Sequence, residues 1–425
     1  MSSFELSVLF FLQLAVILLV CRAVGWAAKW IGQPQVVGEM IAGVLLGPSL
    51  VGWFFPELQA WLFPAESRSL LYAVSQVGLV LYMFLVGLEF NTHLISSRMR
   101  SAVSISLSGI LTPFVLGSIL GYGLLGSGQF FTADVASWEA MFFMGAAMSI
   151  TAFPMLARII YERGLSGTSL GTLALAAGSI DDAAAWCVLA IVLASFSGDP
   201  AIAVLAIGGG VLYAVVVLTG GKRWLRWMGS VAEREQGVGP ALLTFTLSLV
   251  MLGAWFTDRI GIYAVFGAFI MGAAMPRGHF AHSIQKQIEP LTTSFLLPLF
   301  FVYSGLNTRI SLVDTPWLWM IVLLVMLVAC LGKGIACWAA ARFTGEDNRS
   351  AMGIGTLMNA RGLMELIILN IGLERGVITP LLFTVMAIMA IVTTLMATPL
   401  FEWVYRRSPA VQPTAASLQE SATSE

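Results

Sequence analysis

Residues 171–196 read GTLALAAGSIDDAAAWCVLAIVLASF, an apolar run long enough to cross a bilayer as one helix, with Asp181 and Asp182 near its middle. A carboxylate at the bilayer centre costs about 2.5–3.5 kcal/mol, so two in succession require partners, water or a bound ion. Helix packing alone gives no reason to place them there. Adjacent residues on a helix point about 100° apart, so the two side chains cannot face the same partner.

The surrounding chain has the same apolar character. Of its 425 residues 58% are hydrophobic and only 11% charged, well outside the averages of soluble domains. Apolar runs of bilayer-crossing length recur about thirteen times, so the expected fold is an all-α membrane protein. The approximate spans are 6–28, 35–54, 68–90, 101–125, 138–161, 167–197, 201–227, 238–257, 261–275, 288–305, 316–341, 350–373 and 377–405. The first follows an acidic, lysine-free start and carries Arg22 and Lys29 at its far end, the reverse of a signal peptide, and is expected to be retained.

Positive charges sort unevenly between alternate loops. With the N-terminus outside, the outer side keeps only Arg68, Arg259, Arg309 and Arg375, while the inner side takes Arg22, Lys29, Arg98, Arg100, Arg158, Arg163, the Lys222–Arg226 group and further basic residues through Arg407. The positive-inside rule then places the C-terminus in the cytoplasm. Two cations, Lys333 and Arg361, fall in no loop and are expected within the membrane.

Two spans are interrupted. In FFMGAAMSITAFPMLARII (142–160), Pro154 removes a backbone donor and Ser149 and Thr151 offer oxygens, so unwinding is expected near Ile150–Phe153. In SAMGIGTLMNARGLMELIILNIG (350–372), Gly353, Gly355 and Gly362 loosen a helix that also holds Asn359, Arg361, Glu365 and Asn370. Arg361 and Glu365 stand i,i+4 and could simply pair on one face. These are the fifth and twelfth spans, and a shift of seven also relates the aspartate helix to the last one. An inverted repeat with broken helices meeting near the midplane would produce that arithmetic. Lys333, in MLVACLGKGIACWAAARF (326–343), is the natural counter-charge for one aspartate. Burial disfavours charge on either group and pairing opposes this, so an ion that disturbs the pair can shift a proton.

Other features carry less chemistry. Cys21, Cys187, Cys330 and Cys337 lack metal-type spacing and are read as packing residues, and His93, His279 and His282 as solvated loop side chains. GGKRWLRW (220–227) has the composition of an interfacial anchor contacting lipid. GVLLG (43–47) is a close-packing pattern, and Glu39 beside it is read as an interfacial residue ahead of an access-path acid. A net charge of −1 argues against nucleic acid. The tail 408–425 is expected to be disordered.

On GEMIAGVLLGPSLVG (38–52), FLVGLEFN (84–91), SITAFP (149–154), SIDDAAAW (179–186), FLLPLFFVYSGLNT (295–308) and MNARGLMELIILNIG (358–372), the chain resembles the bacterial monovalent cation:proton antiporter-2 family over nearly its whole length. The resemblance implies an NhaA/NapA-type inverted repeat of about thirteen helices with two crossed discontinuous helices. It implies a transmembrane unit over 1–407, with dimer-domain helices in 6–90 and 238–305, core helices in 101–197 and 316–405, and a linker helix at 201–227. It also implies a homodimer in the inner membrane that needs no cofactor and carries no nucleotide-binding domain.

Carried over by position, Asp182 is the carboxylate that binds the proton and the transported Na⁺ or K⁺, Asp181 the partner of Lys333, and Thr151 part of the first unwound segment. Asn359, Arg361 and Glu365 are core polar groups of the second crossed helix. The acid pair with a lysine is similar to electrogenic sodium exchangers, whereas MNARGLMELIILNIGLERGVIT resembles the plant branch linked with potassium, so the cation stays open between the two. A cation channel would more usually show a filter segment or charged ring. A sodium-coupled organic-solute symporter would need a larger polar pocket.

Overall fold

A computed structural model describes residues 2–33, 35–89, 99–153, 156, 159–160, 163, 165, 168–195, 200–260 and 263–405. Pro154, Arg158, His93, the Cys187 side chain and the tail 408–425 lie outside the described residues. Among those described, the chain is helical, with a single isolated bridge between Phe131 and Ile378. Among the described residues, eight helices are long and apolar enough to cross a membrane: Phe4–Trp30, Gln35–Phe54, Ala65–Glu89, Met99–Leu125, Pro240–Arg259, His279–Leu312, Pro316–Phe343 and Pro380–Tyr405. The aspartate pair sits on a further helix, Ser169–Ser195.

The Pro316–Phe343 helix illustrates how sequence sets orientation in the bundle. Thr315 caps it by accepting from the Leu318 amide, and Pro316 supplies the fixed φ that suits a first turn. Leu323, Leu327, Leu331 and Ile335 form an exposed stripe at helical spacing, fit for lipid. The opposite face buries Val325, Ala329, Ala336 and, among them, Lys333.

Small residues bring helices together where a side chain would hold them apart. A Cβ on Gly305 would strike the backbone of Gly43, and one on Gly47 would strike the Gly305 carbonyl, so Gln35–Leu46 and Leu297–Leu306 touch main chain to main chain. This is the close packing expected of GVLLG. Gly87 and Gly272 join Ala65–Glu89 to Ala264–Ala274 in the same way.

Both interrupted spans are broken. The helix Ser137–Ser149 stops at Ile150, whose φ of −69° and ψ of 136° are extended. The second run forms Asn348–Leu357, then a non-helical segment, then Leu363–Glu374. Gly362 at this second break has φ 152° and ψ −119°, a conformation open essentially to glycine alone. The 201–227 segment runs on from Pro200–Val216 through a π turn at Val217–Gly221 into Lys222–Trp224, with a turn at Leu225.

Most of the minor expectations hold. Cys21 and Cys337 are buried and Cys330 half-buried, while His279 and His282 are exposed but stand on the helix His279–Leu291 and not in a loop. Trp224 and Trp227 are exposed and cluster with Phe245. Glu39 is 3% exposed, held within the bundle with Gln35 donating to it at 3.0 Å. It lies on the buried face of Gln35–Leu46, and the apolar residues flanking it in sequence do not distinguish the two faces.

Candidate functional site

The end of the Ser137–Ser149 helix leaves its last carbonyls without intrahelical donors and at the negative end of the helix dipole. Two cations satisfy them. Arg361 donates to the Ala147 carbonyl at 3.3 Å and the Met148 carbonyl at 2.7 Å, and Lys333 Nζ donates to the Ser149 carbonyl. Two residues beyond Ser149, Thr151 turns its hydroxyl to Asp181 Oδ2. The same oxygen accepts from Lys333 at 2.9 Å.

The two breaks meet directly. The Ala152 amide donates to the Ala360 carbonyl at 3.0 Å, one stretch of unwound backbone satisfying the other. Thr394, on Pro380–Tyr405, donates to the Arg361 carbonyl at 2.7 Å and so holds the second break from behind. Unpaired backbone groups at membrane depth are costly, and these contacts are how two interrupted helices are tolerated there.

The resulting cluster is almost wholly out of solvent. Thr151, Asp182 and Lys333 are 0% exposed, and Asp181, Arg361 and Glu365 are 1%. Asp182 adjoins the ion pair on its helix and is enclosed in this conformation. Arg361 and Glu365 are 3.4 Å apart, yet the break at Gly362 lies between them, so no single helical face carries the pair. The shorter contact of Arg361 goes to Met148, and Glu365 Oε1 is buried without a hydrogen bond. Asn359 donates to the Gly355 carbonyl at 3.1 Å and lies against Gly334, beside Lys333 in the chain.

Sequence reasoning did not find Thr394, which lies in an apolar run with other threonines, nor the carbonyls of Ala147, Met148 and Ser149, which belong to apolar or small residues. A stop in the helix is what exposes those carbonyls, and the stop itself was the available signal.

A bundle of apolar helices with an ion pair buried where two broken helices meet defines a multi-pass membrane protein with a charged site at its core. A model of the sodium/hydrogen exchanger transmembrane family matches residues 14–407, and the chain belongs to that family. It is 40% identical to the Na⁺/H⁺ antiporter NhaS4 of Synechocystis over 92% of this chain and 96% of that protein. It is 30% identical to the Na⁺/H⁺-K⁺ antiporter GerN of Bacillus cereus over 93% of this chain and 96% of that one. Cation/H⁺ antiporter 17 of Arabidopsis thaliana is 37% identical over 94% of this chain, which spans 48% of that longer protein. Among solved structures, the sodium proton antiporter MjNhaP1 of Methanocaldococcus jannaschii shares the fold, with a TM-score of 0.63 and 14% identity over 94% of this chain and 98% of that one.

Proposed function

We propose that this protein is a secondary transporter that exchanges a monovalent cation, Na⁺ or K⁺, for H⁺ across the inner membrane. The observation that carries this reading is the buried Lys333–Asp181 pair, with Asp182 beside it at the meeting of two broken helices. Relatives named as antiporters of Na⁺, of K⁺ or of both support the reaction class and leave the cation open.

In this mechanism Lys333 and Thr151 hold Asp181, which keeps the helix register fixed while Asp182 titrates. A cation entering from the cytoplasm binds the Asp182 carboxylate and releases its proton to that side. The enclosed site then opens outward, the cation leaves, and an external proton returns to Asp182. Because cation and proton compete for the same oxygens, neither crosses without the other crossing in the opposite direction. The enclosure of Asp182 fits a site that opens to one side at a time.

The moving body is the core, helices within 101–197 and 316–405, which contains every member of the charged cluster. The fixed body comprises helices within 6–90 and 238–305, joined by the Gly43–Gly305 and Gly87–Gly272 contacts, with the 201–227 segment as linker. About thirteen helices in an inverted repeat, a homodimeric assembly, an external N-terminus and a cytoplasmic C-terminus complete the proposal. The test is proton flux in proteoliposomes on adding Na⁺, K⁺, Li⁺ or choline. Wild type should respond to Na⁺ or K⁺ and Asp182→Asn to neither. Full cation-dependent flux in Asp182→Asn would remove that residue from the centre of the mechanism.

A further inference from the structure

A second polar cluster lies at the far end of the half-helix Leu363–Glu374 that begins beside the charged site, at the end of the bundle that the proposed orientation places outside. Glu374 closes the half-helix Leu363–Glu374, and both Tyr72 and Tyr303 donate to its carboxylate, each at 3.3 Å and through a different oxygen. The two rings lie 5.1 Å apart and approach it together. One turn deeper, Asn370 accepts from Asn307 at 3.2 Å and donates to Ser304 at 3.1 Å. These four hydrogen bonds all run from the second broken helix to Ala65–Glu89 or to the Leu297–Leu306 helix and its C-cap Asn307.

The half-helix is also fastened on its other side. Thr132 donates to the Gly376 carbonyl at 2.5 Å and the Thr379 amide to the Phe130 carbonyl at 3.0 Å. The loop after Met99–Leu125 thus grips the chain just beyond Glu374, and the carboxylate moves with the core. Tyr72, Tyr303, Ser304 and Asn307 belong to the other body. Near the other end of the bundle, Gln33 donates to the Leu395 carbonyl at 2.9 Å. A carboxylate at a helix C-terminus meets an unfavourable dipole, so the place of Glu374 there rests on the two tyrosine hydroxyls that donate to it.

We propose that Glu374 is an external gating residue for the exchange reaction. With Tyr72 and Tyr303 it latches the core shut against the fixed helices on the outer side. This rests on the two-body reading above. The latch must break for the site to open outward, so its strength sets how the protein divides its time between the two access states. A site available only part of the time shows a proportionately weaker apparent affinity on that face.

The test uses the full chain with Tyr72→Phe and Tyr303→Phe combined, which keeps both rings and removes only the hydroxyls, and separately Glu374→Ala. Ser304→Cys, buried just beneath the latch, reports outer opening through its reaction with a charged, membrane-impermeant maleimide, against the chain lacking that cysteine as background. Weakening the latch should speed external labelling about threefold to tenfold, the size of shift that two modest hydrogen bonds control. It should also raise KM for the cation on the cytoplasmic face and lower it on the outer face. Unchanged labelling with unchanged KM on both faces overturns the proposal. A KM that moves the same way on both faces also overturns it, since loosened structure alone would do that. Labelling needs no transport, so it judges the latch even if Asp182→Asn shows the ion site to be misassigned; faster labelling from the cytoplasmic face alone would keep a latch and refute its external placement.

Discussion

Lys333 Nζ stands 2.9 Å from Asp181 Oδ2 with both side chains shut away from solvent, and the same ammonium group also holds the carbonyl that ends the Ser137–Ser149 helix. The lysine therefore joins three elements: its own helix, the aspartate helix and the first broken one. Removing one partner of a buried pair leaves an uncompensated charge and costs about 3–5 kcal/mol, whereas removing both is far less harmful. Lys333→Gln should accordingly lower the unfolding midpoint in detergent or bilayer strongly, and adding Asp181→Asn should restore much of the loss. Equal or additive destabilisation in the double variant would contradict the pairing.

Arg361 and Glu365 should behave unequally, although their spacing suggests a reciprocal pair. Arg361 caps two carbonyls of the other broken helix, its contact with Met148 being 2.7 Å, while Glu365 lies 3.4 Å away. Arg361→Gln should therefore cost about 3–5 kcal/mol and Glu365→Gln about 1–2 kcal/mol, with a coupling below about 1 kcal/mol in a double-mutant cycle. A coupling as large as the Arg361→Gln effect would mean that the ion pair, and not the helix capping, is what Arg361 provides.

The difference between these two predictions follows what the sequence could and could not disclose. The acid pair, the lysine and both interruptions are written locally, in charges within apolar runs and in the Gly and Pro residues that stop helices, and Lys333 meets Asp181 as its position suggested. Arg361 and Glu365 do pair, at 3.4 Å, as their spacing suggested, but Gly362 interrupts the helix between them, and the spacing gave no sign of the shorter contact of Arg361 with the Met148 carbonyl. Thr394 on the Arg361 carbonyl and the Ala152–Ala360 backbone bond join segments distant in sequence through groups that every residue or any threonine carries, so no local pattern announces them. Glu39 shows the same limit for burial: one charge in an apolar helix can face either way until its neighbours are placed.

Gly305 offers a packing test remote from the charged cluster. Its Cα lies against the Gly43 main chain, so Gly305→Ala must push two helices of the fixed body apart. Overpacking of this kind costs about 1–3 kcal/mol. A lowered melting temperature with cation selectivity unchanged is the expected result. A fully stable Gly305→Ala would show that the helices separate freely there, and a change of selectivity would tie this contact to the ion path.

Asp347 caps the Asn348–Leu357 helix from the loop beside it, accepting from the Arg349 and Ser350 amides at 3.0 and 3.1 Å. Hydrogen bonds from Ser350 hold its carboxyl below the ordinary aspartate range. A carboxyl whose folded pKa is depressed contributes stability that is present above its unfolded pKa and is lost as pH falls through the folded value. Asp347→Ala should therefore cost about 0.5–2 kcal/mol near neutral pH, as N-cap removals do. The gap between wild type and variant should then narrow on acidification below about pH 4, the unperturbed aspartate range. Melting curves of both proteins across pH 3–7 check this. A gap that stays constant to the acid end would mean that the Asp347 side chain acts by something other than its charged, hydrogen-bonded form.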